Sequence, residues 1–176
     1  MGLNLTDLNE PIRDEMLKEF QYDEERGGVW LSDNLNERGR TEYPRLLEEA
    51  ARSHDDDWLA MEIADGRLNS HEKPRLNRGT MVTPKMRSNA HTMLAEGEFN
   101  RLYARGLCRW AIAQGITELV VYRAKAVENP RSESVRMIGQ RVDPKQLLDD
   151  LRVSRGMDTA LHLPPGPNSG LSVRLP

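Results

Sequence analysis

The sequence has a single cysteine and no long apolar run, and each of these two shortages excludes a class of protein. One cysteine, Cys108, excludes an internal disulfide and a cysteine-rich zinc site, which is typical of a reducing compartment. No stretch approaches the roughly 18–20 consecutive apolar residues that cross a bilayer, so we expect no membrane partner. The first residues lack the basic and apolar regions of a signal peptide. These shortages favour a cytoplasmic location.

Charge, by contrast, is abundant and unevenly distributed. Charged residues make up 30% of the chain, and the formal net charge is −3. Residues 1–70 are strongly acidic and residues 71–176 are basic. Such polarity predicts that the two parts pair with each other or that copies associate head to tail. We therefore divide the chain into an acidic helical N-terminal part, 1–70, and a basic helix–strand–helix core with a Pro/Gly-rich C-terminal arm, 71–176, and expect one compact domain.

The clearest local pattern lies in residues 98–114, where apolar residues recur at helical spacing. Phe99, Tyr103, Gly106 and Trp110 belong to this apolar face, so we expect Trp110 to be largely buried and Gly106 to leave room for a close neighbour. Gly115 follows as a left-handed C-cap. Residues 116–122 (ITELVVY) are typical of a strand. This helix and strand should form the centre of the fold.

Capping and turn signals predict the remaining elements. Asn9 should cap a first helix, a second should begin at Thr41 and a third after residues 53–57. Thr83-Pro84 predicts a helix over residues 84–95 that ends at Gly97, and residues 66–79 read as a connector. Short helices should follow at 132–138 and after Asp143-Pro144. The sequence thus predicts an α+β fold that is mostly α-helical, with about five or six helices and two or three short strands.

Arg101, Arg105 and Arg109 are four residues apart and form a cationic stripe on the predicted central helix. Lys85 and Arg87 on the preceding predicted helix could extend it, and such a stripe can bind a phosphate backbone. The two helices also resemble a helix-turn-helix unit. The alternative, which we favour, is a salt-bridged face matched to the acidic N-terminal part.

Catalytic and metal-binding patterns are weak. Cys108 lies between arginines that could lower its thiol pKa, but a lone cysteine on a helix more often serves packing. The four histidines show no i, i+4 metal spacing. Asp55, Asp56 and Asp57 are best explained as a helix N-cap and its first turn. We therefore expect no enzymatic activity, no catalytic residue, no metal and no cofactor.

The C-terminal arm combines an irregular Pro/Gly-rich segment, 163–170, with an alternating segment, 171–175, typical of an edge strand. An edge strand behind such a segment favours strand addition to another chain. Asn168, Leu171, Val173 and Leu175 are the candidate partner contacts.

Three segments resemble proteins of tailed bacteriophages and prophages: residues 43–50 (YPRLLEEA), 94–103 (LAEGEFNRLY) and 165–171 (PGPNSGL). The resemblance implies a virion or phage-assembly component, located in the bacterial cytoplasm or in the virion. The sequence analysis therefore favours a non-enzymatic structural or interaction protein whose partners are other protein subunits, copies of itself included. A nucleic-acid-binding protein that uses the arginine-striped helix is the alternative.

Overall fold

The computed structural model describes residues 2–130, 132–154 and 170–176. Within them the chain forms six α-helices and five short strands, which confirms the predicted mostly helical α+β fold. In chain order they are α1 (Glu10–Glu24), α2 (Glu37–Ser53), α3 (Asp56–Ala64), β1 (Arg75–Asn77), β2 (Thr80–Val82), α4 (Ala90–Ala113), β3 (Leu119–Arg123), α5 (Ser132–Met137), β4 (Arg141–Val142), α6 (Pro144–Val153) and β5 (Leu171–Arg174).

Side-chain caps begin most of these helices. The Asn9 side chain accepts from the Ile12 N–H, Asp55 accepts from Trp58 N–H, and Asp143 starts α6 in the same way, as predicted. The predicted start of α2 at Thr41 is wrong, because Asn36 caps the helix one turn earlier through the Gly39 N–H at 2.8 Å. Because Asn36 caps the helix, its first turn precedes Thr41, which lies inside the helix.

The central helix α4 is longer than predicted and includes residues 90–95 of the predicted helix 84–95, whose residues 84–89 are not helical. α4 begins at Ala90 and continues through Gly97 without interruption. Thr83-Pro84 is not a helix start, because the Pro84 carbonyl accepts a hydrogen bond from Glu72 N–H at 2.8 Å in a paired extended segment. The predicted helix-turn-helix unit is therefore wrong. Gly115 does end the helix with a φ of 73°, as expected of a left-handed cap.

Strands β4, β3 and β5 form one antiparallel sheet in that order. The predicted strand at 116–122 is observed as Leu119–Arg123, and the predicted C-terminal strand lies at the sheet edge beside it. Val121 pairs with Val173 in the register between β3 and β5. The sheet packs on α4, since Val121 and Val173 are fully buried in the same core as the helices.

One hydrophobic core contains residues from both the acidic and the basic parts of the chain. α4 contacts α1, α2, α3 and α6, so it is the central element of that core. Gly106 faces α1 so closely that an added Cβ would lie 2.7 Å from Met16 Cγ, as predicted for a close neighbour. Trp110, which was expected to be largely buried, packs against this core and stays partly exposed. Among the described residues, none of the helices is both long and apolar enough to cross a membrane.

The two remaining strands, β1 and β2, form a separate antiparallel hairpin that the sequence analysis assigned to a connector and a helix start. Leu76 pairs with Met81, and Asn77 pairs with Thr80 across the turn. Each strand has only three residues and lacks the alternation of a half-buried strand, because nearly all of its residues are exposed. That missing alternation explains why hydrophobic periodicity did not predict the hairpin.

Candidate functional site

The predicted cationic stripe on α4 does not form an exposed surface. Arg105 is only 2% exposed, and its guanidinium lies between two carboxylates of α1. Its Nε donates to Glu19 Oε2 at 2.8 Å, while Nη1 and Nη2 donate to the two oxygens of Asp23 at 2.6 and 3.0 Å. A phosphate cannot reach this group without unfolding the interface between α1 and α4. Arg105 as a nucleic-acid contact is therefore wrong.

Glu19 is fully buried and is shared by three arginines. Besides Arg105, Arg109 Nη1 donates to Glu19 at 3.2 Å and Arg152 Nη2 on α6 donates at 2.6 Å. Burial raises the pKa of Glu19, but the bonds from Arg152 and Arg105 outweigh it and hold that pKa below its ordinary value. The carboxylate thus stays ionised and joins α1, α4 and α6.

Arg109 and Arg101 complete the stripe, and both are used within the chain. Arg109 Nε donates to Glu15 Oε2 at 2.8 Å, and Arg101 is buried with its guanidinium bonded to the Ser154 carbonyl. The interpretation of the stripe as a salt-bridged face matched to the acidic part is confirmed for Arg105 and Arg109. Some acidic residues of the N-terminal part and some basic residues of the C-terminal part therefore neutralise each other within the chain.

Cys108 lies on the same helix and is fully buried. Burial raises the pKa of its thiol well above the ordinary value, with smaller contributions from Glu19 and Asp143. Burial and a raised pKa both disfavour the thiolate, so Cys108 fits a packing role better than that of a nucleophile. In the part of the chain that the structure describes, no group of three or more His, Cys, Asp or Glu residues could hold a metal ion.

The C-terminal contacts predicted for a partner lie mostly inside the chain. Leu171 and Val173 are buried in the core, and Leu175 is half-buried with its N–H bonded to Asp7 at 3.0 Å. The Asn100 side chain donates to the Leu171 carbonyl at 2.8 Å and so covers part of the outer edge of β5. These side chains and that carbonyl are not available to another strand. Asn168 lies outside the described residues.

The two other predicted basic residues, Lys85 and Arg87, belong to a different structure. We call residues 71–87 the basic hairpin; they contain β1, β2, the turn at residues 77–80 and the bridge between His71 and Lys85. Five basic residues and one glutamate give this segment a formal charge of +4. Lys73 pairs with Asp33 at 2.6 Å and Arg87 pairs with Glu72 at 2.9 Å. Arg75, Arg78 and Lys85 are exposed, and no acidic side chain of the described residues forms an ion pair with them.

One face of the basic hairpin is apolar. Leu76 and Met81 are directly opposite each other in the register, so their side chains project on the same face. They are 70% and 64% exposed, which is unusual for a pair of large apolar side chains that already lie side by side. The described part of the chain leaves this face uncovered.

The turn of the basic hairpin is strained at an arginine. Arg78 has a φ of 49° and Gly79 a φ of 83°, which matches the positive φ at both central residues of a type I′ turn. Among the described residues, Arg78 is the one non-glycine residue with a positive φ. Glycine or asparagine adopts this conformation at lower cost, so the chain places a cation at the tip against its backbone preference.

Sequence reasoning therefore missed the basic hairpin as a unit, although it selected two of its residues. The Asn-x-Gly-Thr turn between short polar segments was the available signal. Its strands are too short and too exposed to produce a periodic pattern. Comparisons of the chain with protein-family models, with curated proteins and with solved structures found no match.

Proposed function

We propose that this protein is a non-enzymatic interaction protein that docks onto another macromolecule with the basic hairpin. The observation that carries the proposal is the exposed Leu76–Met81 pair beside cations that have no acidic partner within the described residues. A two-stranded hairpin is marginally stable by itself, and this one buries almost no side chain in the core. Its turn, with a positive φ at Arg78 and Gly79, and its exposed apolar and basic side chains are explained if the hairpin contacts another molecule.

The composition of the basic hairpin fits the anatomy of protein interfaces. Arginine and methionine are enriched at such interfaces, and apolar side chains at the centre are commonly surrounded by polar and charged ones. Leu76 and Met81 would form the centre, with Arg75, Arg78 and Lys85 around them. Together with the resemblance to phage proteins, this favours a role as a subunit of an assembly, in the bacterial cytoplasm or in the virion.

Nucleic acid is the second candidate partner, and the same unpaired cations favour it. A two-stranded ribbon fits the major groove of duplex DNA, and Arg75 and Arg78 could contact phosphates. The basic hairpin has no aromatic side chain for base stacking, and the net charge of the chain is negative. The protein partner is therefore the better-supported candidate.

Site-specific crosslinking tests the proposal in the protein's own cells. A photoreactive residue at position 76 should form a covalent adduct with one defined molecule, identified by mass spectrometry as peptide or nucleotide. Position 45 on α2, which is equally exposed, is the matched control and should give no enriched adduct. If position 76 gives no adduct above that control, the basic hairpin is not a docking element.

A further inference from the structure

The surface of the chain offers a complement to the basic hairpin on α3. Met61 is 64% exposed; Asp57 and Asp65 lie about one helical turn before and after it, and Glu62 follows it directly; we call these four residues the acidic α3 face. The acidic α3 face combines an exposed apolar side chain with carboxylates, whereas the basic hairpin combines an exposed apolar pair with cations. We infer that the docking partner is a second copy of this chain, whose acidic α3 face receives the basic hairpin. This inference rests on the proposed function.

The distribution of ion pairs within the chain supports the choice of α3. The buried acidic residues of α1 already neutralise arginines of α4 and α6. On the acidic α3 face, Asp65 pairs with Arg38 and Arg67, and Glu62 pairs with Arg67, whereas no Lys or Arg side chain in the described ranges pairs with Asp57. Both arginines also pair with Glu42, so Glu42 and the three carboxylates of this face outnumber the two arginines, and the region keeps a formal charge of −2, opposite in sign to that of the basic hairpin.

The order of the elements along the chain favours a reciprocal contact. The basic hairpin follows α3 after a few residues, so the two surfaces are neighbours along the chain. If the hairpin of one copy lies on α3 of a second, a two-fold axis places the second hairpin on α3 of the first. Such a contact doubles the buried apolar pairs and charge contacts, and it closes into a dimer.

Paired charge reversals test this inference. The hairpin variant carries Arg75→Glu and Arg78→Glu, and the α3 variant carries Asp57→Lys and Asp65→Lys; all four side chains are exposed, so both should fold. Sedimentation equilibrium between about 10 μM and 1 mM covers weak interfaces. The natural sequence should exceed its 20.1 kDa monomer mass as concentration rises, whereas each variant alone should stay monomeric.

Mixing the two variants is the decisive step. In the mixed pair both reciprocal contacts again join opposite charges, so an equimolar mixture should regain the mass of a dimer. A control with Arg45→Glu and Arg52→Glu on α2 should associate like the natural sequence. Circular dichroism and urea melts confirm that each variant is folded before the masses are compared.

Two results would overturn the inference and still leave the basic hairpin a docking element. One is a natural sequence that stays at monomer mass over the whole range while position 76 still crosslinks to another protein; that outcome keeps the proposed function and removes self-association. The other is a monomer that binds duplex DNA with a salt dependence that the hairpin variant reduces, by roughly 0.9 units of log–log slope for each lost phosphate contact. A monomer without any crosslink removes both proposals.

Discussion

Arg105 of α4 binds both carboxylate oxygens of Asp23 on α1, with Nη1–Oδ2 and Nη2–Oδ1 distances of 2.6 and 3.0 Å. The ion pair is buried, and Glu19 accepts a further bond from the Nε of the same guanidinium. The arginines of α4 thus hold helices together, whereas those of the basic hairpin are exposed.

The first prediction concerns Arg105. We expect Arg105→Met to lower the free energy of unfolding by about 3–5 kcal/mol, because it leaves Glu19 and Asp23 buried with fewer cations. Arg45→Met, which breaks an exposed pair with Glu49, should cost less than about 1 kcal/mol. Urea melts of the two variants measure the difference. Equal costs would show that Arg105 is solvated.

The second prediction concerns the close approach of α1 and α4. We expect Gly106→Ala to destabilise the protein, although alanine is the better helix former, because the new Cβ would lie 2.7 Å from Met16 Cγ and 2.8 Å from the Met16 nitrogen. The Met16 backbone cannot yield without moving α1. Gly97→Ala on the same helix meets no neighbour and should stabilise by about 0.5–1 kcal/mol. Thermal melts that rank the two variants the other way would contradict the packing described here.

The third prediction is a pH dependence that Asp56 causes. Burial raises the pKa of Asp56 to about 6, opposed by a hydrogen bond from the Leu3 N–H and reinforced by Asp57 and Glu96. Because the folded protein binds this proton more tightly than the unfolded chain, ionisation lowers the stability as the pH rises from about 4 to above 6. Asp56→Asn retains an oxygen acceptor for Leu3 but cannot ionise.

Urea melts at several pH values test this. The stability of Asp56→Asn relative to the natural sequence should grow between pH 4 and 7, by at most about 3 kcal/mol for a pKa raised by about two units. Contributions from other groups, such as the lowered pKa of Glu19, act at lower pH and are common to both proteins. A difference that is constant with pH would show that the Asp56 pKa is unshifted.

The sequence predicted elements where a local signal is strong. Asn9, Asp55 and Asp143 begin helices because each supplies a side-chain acceptor to nearby N–H groups, and the pattern of residues 116–122 produced a buried strand. The burial of Arg105 depends on Glu19 and Asp23, which lie more than 80 residues away. Helical periodicity assigns a charged residue to the solvent face, so it placed this arginine outside.

The candidate site was harder to predict because its local signal is weak. Lys85 and Arg87 were selected for charge, but the structure that presents them is a hairpin without an alternating pattern. Trp110 was assigned to the buried face by its spacing, and it packs against the core but stays partly exposed. The hairpin was missed because its strands are short and exposed, whereas the remaining exposure of Trp110 depends on which elements pack beside it, which no local pattern encodes.

The fourth prediction concerns the strained turn. Arg78→Asn should relieve the cost of a positive φ and stabilise the basic hairpin by roughly 0.5–1 kcal/mol, while it removes a cation from the tip. Amide hydrogen exchange in residues 75–82 should therefore slow, and self-association should weaken. Faster exchange in the variant would show that the Arg78 side chain itself stabilises the turn.

The most direct measurement of the central claim is the mass of the full chain in solution when the apolar pair is removed. We expect the natural sequence to exceed 20.1 kDa with rising concentration, and the variant with Leu76→Ser and Met81→Ser to stay at 20.1 kDa with unchanged melts, because both side chains are exposed. Val135→Ser, at another exposed apolar residue, should leave association intact. A natural sequence that stays monomeric, or a double variant that associates as strongly, would contradict the account.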